Sequence, residues 1–248
     1  MELYKELKVI YKELKVIYED NHIIVVVKPA GIPSQADKTG DLDMLTLVKE
    51  YIKVKYNKPG EVYLGLVHRL DRMVGGLMVF ARTTKGASRL SKYIRERNFK
   101  KKYTAILNGS LKGSDTLTNY LLKNEKLNMS SVVNKNPKNE KYVKEAILDY
   151  ECKKVFEYNN KKYTLVNINL KTGRHHQIRV QFSNINHPLY GDIKYGNKIN
   201  KVGQNLALWS SYLSFYHPTK DEYLEFEMLP TQIEENELYK IDKIWNNI

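Results

Sequence analysis

The sequence predicts an α+β fold, and three observations carry that expectation. Residues 22–28 and 76–81 hold short apolar runs bounded by Pro, Gly or charged residues, the pattern of buried strands. Residues 43–55 and the stretch opened by Thr84 place apolar side chains mostly at helical spacing behind a residue suited to capping. Between Tyr142 and Lys171 two strand-like segments flank Asn159-Asn160, which reads as an antiparallel ribbon closed by a tight turn.

In chain order, residues 4–10 and 11–17 are identical heptads, YKELKVI. One exact repeat is too little for a solenoid or a coiled coil, so a duplication near the start codon is the simpler reading and the first copy is expected to be dispensable. The strand at 22–28 ends in the rigid loop Pro29-Ala30-Gly31-Ile32-Pro33. Asp43 then caps a helix to about Lys55, with Leu45, Val48, Tyr51 and Ile52 inward, and Pro59-Gly60 closes it.

Next comes LVHRLDRMVGGLMVFAR, residues 66–82, a charged cluster set directly before Gly75-Gly76 and an apolar run. Asp71 lies between Arg69 and Arg72, and beside a buried strand such a cluster is solvated, paired, or part of a site; local composition leaves these open. Thr84 opens a helix with Ala87, Leu90 and Ile94 inward and Arg89, Lys92, Arg95 and Arg97 elsewhere. Lys100-Lys101-Lys102 starts a strand through Leu107, expected in the same sheet, where Tyr103 by itself reads as a packing ring.

Residues 109–141 are polar and aperiodic, so loops and short strands are expected. A helix is predicted from the segment 172–179 through Phe182 and Ile185, then an ordered loop over 187–196. Two last strands, 206–216 and 222–228, are joined by His217-Pro218-Thr219, and the acidic end is expected to form a helix through Leu238 and Ile241 to Trp245. The implied division is an extension at 1–17, a main domain at 18–230 and an acidic helix at 231–248.

The formal charge is +13, unevenly spread: residues 221–248 hold eight acidic and two basic side chains, leaving +19 on the other 220 residues. That imbalance favours a polyanion, nucleic acid ahead of membrane. Cys152 is the single cysteine, which excludes an intramolecular disulfide and any CxxC motif and suits a reducing compartment. The longest aliphatic run, 23–27, is far too short to span a bilayer, and a cytoplasmic, unprocessed protein is the expectation.

Other chemistries fit poorly. His175-His176 are neighbours without an HExxH or paired-Cys motif, which argues against a metal, and a zinc base deaminase needs cysteines this chain lacks. Val74-Gly75-Gly76 precedes its strand, where a dinucleotide loop would follow one. A carboxylate-pair glycosidase needs a second acid; Asp192 is available but nothing prefers it. A catalytically silent RNA-binding protein is the competing class.

HRLDRMVGGLMVFA resembles the catalytic motif of RluA-like RNA pseudouridine synthases, H-R-L-D followed shortly by G-L. The family's E-D-x-x-[IL]-[IL]-V-x-x-K-P-x-G is similar to Glu19-Asp20 through Lys28-Pro29 and Gly31. K-x-Y-x-A matches Lys101 to Ala105, T-G-R-x-H-Q-I-R matches Thr172 to Arg179, and H-P-x-x-G-D-x-x-Y-G matches His187 to Gly196. The resemblance covers roughly residues 17–230 in order. Two departures stand out. A small hydroxyl residue often found before the motif's glycine is Gly75 here. Many relatives also carry a separate N-terminal RNA-binding module, for which the early position of the motifs leaves no room, so the catalytic domain is expected to grip RNA itself.

The resemblance implies a central, mainly antiparallel mixed sheet flanked by helices, with a basic cleft across its middle. It implies isomerisation of uridine to pseudouridine in structured RNA, ribosomal RNA before transfer RNA, without cofactor or metal. Asp71 would be the nucleophile, at C1′ or on the base, or would promote glycal formation. Arg179 would pair with Asp71 and favour its ionised form, and Tyr103 would stack on the uracil and take the C5 proton. The target must be flipped out; Arg69 would fill the gap, and His68, Arg72, Arg89, Lys92, Arg95, Arg174, His176 and Gln177 would contact RNA. A monomer is expected, with RNA as its partner, no membrane and no obligate protein partner.

Overall fold

The computed structural model describes residues 11–134, 141–196 and 198–248; the first heptad copy lies outside the described residues. These residues form two compact units. One takes the chain up to Lys100 together with Trp209–Ile241, the other Lys101–Leu208 with Asp242–Ile248.

The first unit is a mixed sheet ordered β1 (Val16–Glu19), β2 (Ile23–Lys28), β4 (Gly75–Ala81), β10 (Leu208–Tyr216) and β11 (Tyr223–Glu227), with β3 (Gly65–Leu66) pairing the end of β4. Its pairs are antiparallel except β4 with β10. Every residue of β2 and β4 is buried, which is why both read as continuous apolar runs and not as alternating ones. Helix α1 (Met44–Lys55) buries Met44, Leu47, Val48 and Ile52. Its cap is Asp43, which accepts the Thr46 amide at 3.1 Å and the Thr46 hydroxyl at 2.7 Å. Helix α2 (Thr84–Arg95) is capped one residue earlier than expected, by Thr83, which accepts the Gly86 amide at 3.1 Å.

Gly75 and Gly76 exist for the β4–β10 contact. A Cβ on Gly75 would lie 2.3 Å from Cζ3 of Trp209, and one on Gly76, at φ 113°, would lie 2.3 Å from the Ser210 carbonyl oxygen. The glycine that departs from the family pattern therefore makes room for the Trp209 ring, whose Nε1 donates to the Met228 carbonyl at 2.8 Å.

Asp20 ties the β1–β2 turn to the β10–β11 turn. Its Oδ1 accepts the amides of His22 and Ile23 at 2.8 and 2.9 Å, and its Oδ2 meets His217 Nε2 at 2.8 Å and Lys220 Nζ at 3.0 Å. His217 Nδ1 accepts the Thr219 and Lys220 amides, so the ring proton sits on Nε2 and is donated to Asp20. Burial works to raise the Asp20 pKa, but the two amides, Lys220 and His217 outweigh it and hold the carboxyl far below its usual range.

The second unit is antiparallel throughout, ordered β5 (Lys100–Asn108), β9 (Lys161–Leu170), β8 (Val143–Tyr158), β6 (Ser114–Asn124) and β7 (Met129–Val133). Asn159 and Asn160 join β8 to β9 with φ of 50° and 58°, the left-handed pair that a two-residue hairpin of this type requires. Helix α3 (Gln177–Asn184) packs Val180 onto Leu121 and Ala146, with Val132 and Tyr195 at the margin. A single turn, α4 (Ile193–Gly196), follows within the segment expected to be loop.

Two expectations fail. Residues 109–141 contain the eleven-residue β6, held by pairing to both β7 and β8; only Leu121 in it is buried, so it has no apolar periodicity to read. The acidic end forms no α-helix among the described residues, only 3-10 turns at Pro230–Gln232 and Lys243–Asn247. The Asn236 side chain captures the amides of Leu238 and Tyr239 at 2.9 and 2.8 Å, an alternative to the helical ladder. The Tyr239 hydroxyl donates to the Val27 carbonyl at 2.8 Å and accepts the Lys15 amide at 3.0 Å.

Two stability measurements check this account. Asp20→Asn should cost about 1–3 kcal/mol in denaturant at pH 7. Because the folded pKa is depressed, the wild-type advantage is present above the unfolded value and should shrink as pH falls below about 4; a gap independent of pH would contradict it. Gly75→Ser should destabilise by about 1–3 kcal/mol and be partly rescued by Trp209→Leu. Additive effects of the two changes would disprove the steric explanation.

Candidate active site

In the first unit, the loop from His68 to Val74 carries the HRLDR cluster. In it His68, Leu70 and Val74 are buried, while Arg69, Arg72 and Met73 are exposed and Asp71 is half-buried. The buried residues are the attachments. Ser34 Oγ donates to the Leu70 carbonyl at 2.8 Å and accepts the Leu70 amide at 3.0 Å. The Gly31 amide donates to the Arg72 carbonyl at 2.8 Å, and the Val74 amide to the Asp71 carbonyl at 3.0 Å, closing a turn on the aspartate itself.

Beneath this loop lies Lys28, the last residue of β2, whose side chain is wholly buried. Its Nζ donates to the carbonyls of Pro29 at 2.8 Å and Arg72 at 3.0 Å. Burial pushes its pKa down to about 7; the negative charge of Asp71 works against that shift, and Arg72 adds to it. Lys28, expected as the end of the strand at 22–28 and part of a motif, joins the end of β2 to the loop that presents Asp71.

In the second unit, Tyr103 lies on β5 opposite Ile168 of β9, 6% exposed. Arg179, on α3, is gripped by Asp192: Nε donates to Oδ2 and Nη2 to Oδ1, both at 2.8 Å, with side-chain exposures of 7% and 0%. Asp192 also accepts the amides of Lys194 and Tyr195 at 3.0 and 3.1 Å, and the Arg179 guanidinium lies 5.3 Å from the centre of the Tyr195 ring. A planar fork held at two points and stacked on a ring is fixed in orientation. Asp192, which the sequence offered without preference, is the residue that orients it.

His176 begins α3 in the left-handed region, φ 53°. The Tyr195 hydroxyl accepts the Ser130 amide at 2.7 Å and is hydrogen-bonded to His176 Nδ1, 2.9 Å away. Burial, then the charges of Arg179 and Lys194 and the neighbouring His175, drive the His176 pKa far below the usual imidazole range, so the ring is neutral. Gln177 Oε1 accepts the Thr172 hydroxyl at 2.8 Å and the Arg174 amide at 3.0 Å.

Three of the expected RNA contacts are largely buried. His68, His176 and Gln177 are 7%, 9% and 3% exposed. His68 Nε2 accepts the Val79 amide at 3.0 Å, and its ring packs 5.6 Å from that of Phe99. All three brace loops. Of the cations, Arg72 pairs with Asp41 and donates to the Gly31 carbonyl at 2.9 Å, Arg89 bonds the Pro218 carbonyl, Lys92 lies 3.8 Å from Glu96, and Arg174 Nε donates to the Glu145 carbonyl at 2.8 Å. Arg69, Arg72, Arg89, Lys92, Arg95 and Arg174 are exposed. Among the described residues no three His, Cys, Asp or Glu side chains converge as metal ligands, and no helix is long and apolar enough to cross a membrane.

The family profile described as RNA pseudouridylate synthase matches residues 22–184. The chain is 34% identical over 243 residues to an uncharacterized RNA pseudouridine synthase of Aquifex aeolicus, covering 91% of this chain and 71% of that protein. It is 32% identical over 209 residues to the ribosomal large subunit pseudouridine synthase C of Buchnera aphidicola subsp. Baizongia pistaciae, covering 81% of this chain and 62% of that one. The solved structure of human RNA pseudouridylate synthase domain containing 4 superposes with a TM-score of 0.75 at 20% identity, covering 98% and 95% of the two chains, and shares the fold. With the profile match spanning the loop of Asp71, the strand of Tyr103 and the helix of Arg179, the chain belongs to the RNA pseudouridylate synthase family.

Proposed function

We propose that this protein converts uridine to pseudouridine in RNA, with Asp71, Tyr103 and Arg179 carrying the chemistry. The observation that supports this most is that the three residues stand at motif positions within a family match over residues 22–184. The bond between C1′ and the uracil N1 breaks, the base turns, C5 bonds to C1′, and the C5 proton leaves for N1 by way of solvent or protein. Atoms and electrons balance, so no cofactor is consumed.

Asp71 is the reacting carboxylate, and Arg179, oriented by Asp192, is the cation that serves its ionised form. Tyr103 stacks on the uracil and takes the C5 proton. The uridine is flipped from its helix at a cost of about a few kcal/mol, and Arg69 fills the vacated stack. Arg72, Arg89, Lys92, Arg95 and Arg174 contact phosphates, so binding weakens steeply with salt. Ribosomal RNA is the proposed substrate, supported by the name of the Buchnera relative, and the protein acts as a cytoplasmic monomer.

RNA tritiated at uridine C5 should release tritium with the wild-type chain. Asp71→Asn should lose that release by at least about a thousandfold while still binding RNA, and Tyr103→Phe should stall at deprotonation. Wild-type turnover by the Asp71 variant would sink the proposal, and wild-type turnover by the Tyr103 variant would remove that residue's role.

A further inference from the structure

The β10–β11 hairpin buries Leu213, Phe215 and Leu224 on one face; Ser214, Tyr216, Tyr223 and Glu225 share the other by strand alternation, and that face is covered at Ser214 but open at the tyrosines. Tyr216 and Tyr223 are directly paired across the strands, their ring centroids 5.0 Å apart at 67°, yet they remain 51% and 39% exposed.

They form one wall of a cleft of about 330 Å³ whose other lining residues are Arg97, Asn98, Lys100 and Glu225. The cleft is built. The Tyr223 hydroxyl is 2.8 Å from Ser214 Oγ, and Tyr212 donates its hydroxyl to the Glu225 carboxylate. Phe99 stacks on Phe215 at 4.8 Å and 5°, anchoring the segment that carries Arg97, Asn98 and Lys100. Among the described residues, Arg97 and Lys100 have no ion-pair partner and both are exposed.

We propose that this cleft is an accessory subsite for one unpaired nucleotide of the RNA substrate, its base stacked on one ring of the Tyr216–Tyr223 pair and its phosphate held by Arg97 and Lys100. Aromatic faces flanked by free cations are the combination that binds single-stranded nucleic acid. The Glu225 carboxylate, pure acceptor, offers itself to an exocyclic amine of the base. The inference rests on RNA being the substrate, and it adds a second point of hold outside the residues assigned to the reaction.

The test is fluorescence anisotropy of the full chain with a labelled hexa-adenylate, which has no uridine to turn over. Tyr216→Leu/Tyr223→Leu and, separately, Arg97→Gln/Lys100→Gln should each bind roughly tenfold or more weakly, with thermal midpoints confirming a folded protein. The charge variant should also reduce the slope of log affinity against log salt by about one to one and a half. Both variants binding like wild type would overturn the subsite. Free adenosine monophosphate displacing the hexamer with equal affinity would overturn the RNA assignment in favour of a mononucleotide site. Wild-type protein that binds the hexamer through this cleft but releases no tritium from labelled RNA would uphold the subsite and overturn the synthase reading, so the two fail separately.

Discussion

A buried ammonium holds the loop that presents Asp71. Lys28 ends a wholly buried strand of the first unit, and its Nζ donates to the carbonyls of Pro29 and Arg72. Leaving such donors or acceptors unpaired costs about 1–3 kcal/mol each, so strand and loop are fastened to one another. The Ser34–Leu70 pair and the Gly31 amide repeat the fastening from the same preceding segment. Gly75 and Gly76 then let β4 run close against β10, and Trp209 covers the glycine nearest the loop.

The second unit uses the same device with the charges reversed. There a buried carboxylate, Asp192, holds the guanidinium of Arg179, and the amides of Lys194 and Tyr195 complete its acceptor capacity. Tyr195 supports the arginine from below and fixes His176 at the start of α3. Asp71 and Arg179 are each positioned by a buried titratable side chain from a neighbouring segment, and removing either partner would strand the groups it bonds.

What the sequence made legible follows from the kind of force involved. The continuous apolar runs of β2 and β4 announce strands covered on both faces, Asp43 announces the start of α1, and Asn159-Asn160 can hardly be anything but a turn. Strand β6 stayed hidden because backbone pairing holds it, and pairing leaves no mark on residue type. The tail misled because its apolar residues suggested a helix while Asn236 bonds locally to the chain. Asp71, Tyr103 and Arg179 were named from motifs, and so were His68, His176 and Gln177, whose burial no motif announces. Composition gives residue type but not the direction a side chain faces. The match of Gly75 to Trp209, far apart in the chain, is visible only as a distance.

The claim on which the rest stands is that Lys28 fixes the Asp71 loop. Hydrogen exchange of Lys28→Met, read by mass spectrometry, tests it most directly, since the substitution keeps length but removes both donated bonds. The account predicts faster exchange in peptides containing the Gly31 and Val74 amides, with peptides from β8 and β9 unchanged. Exchange at Gly31 and Val74 indistinguishable from wild type would contradict it.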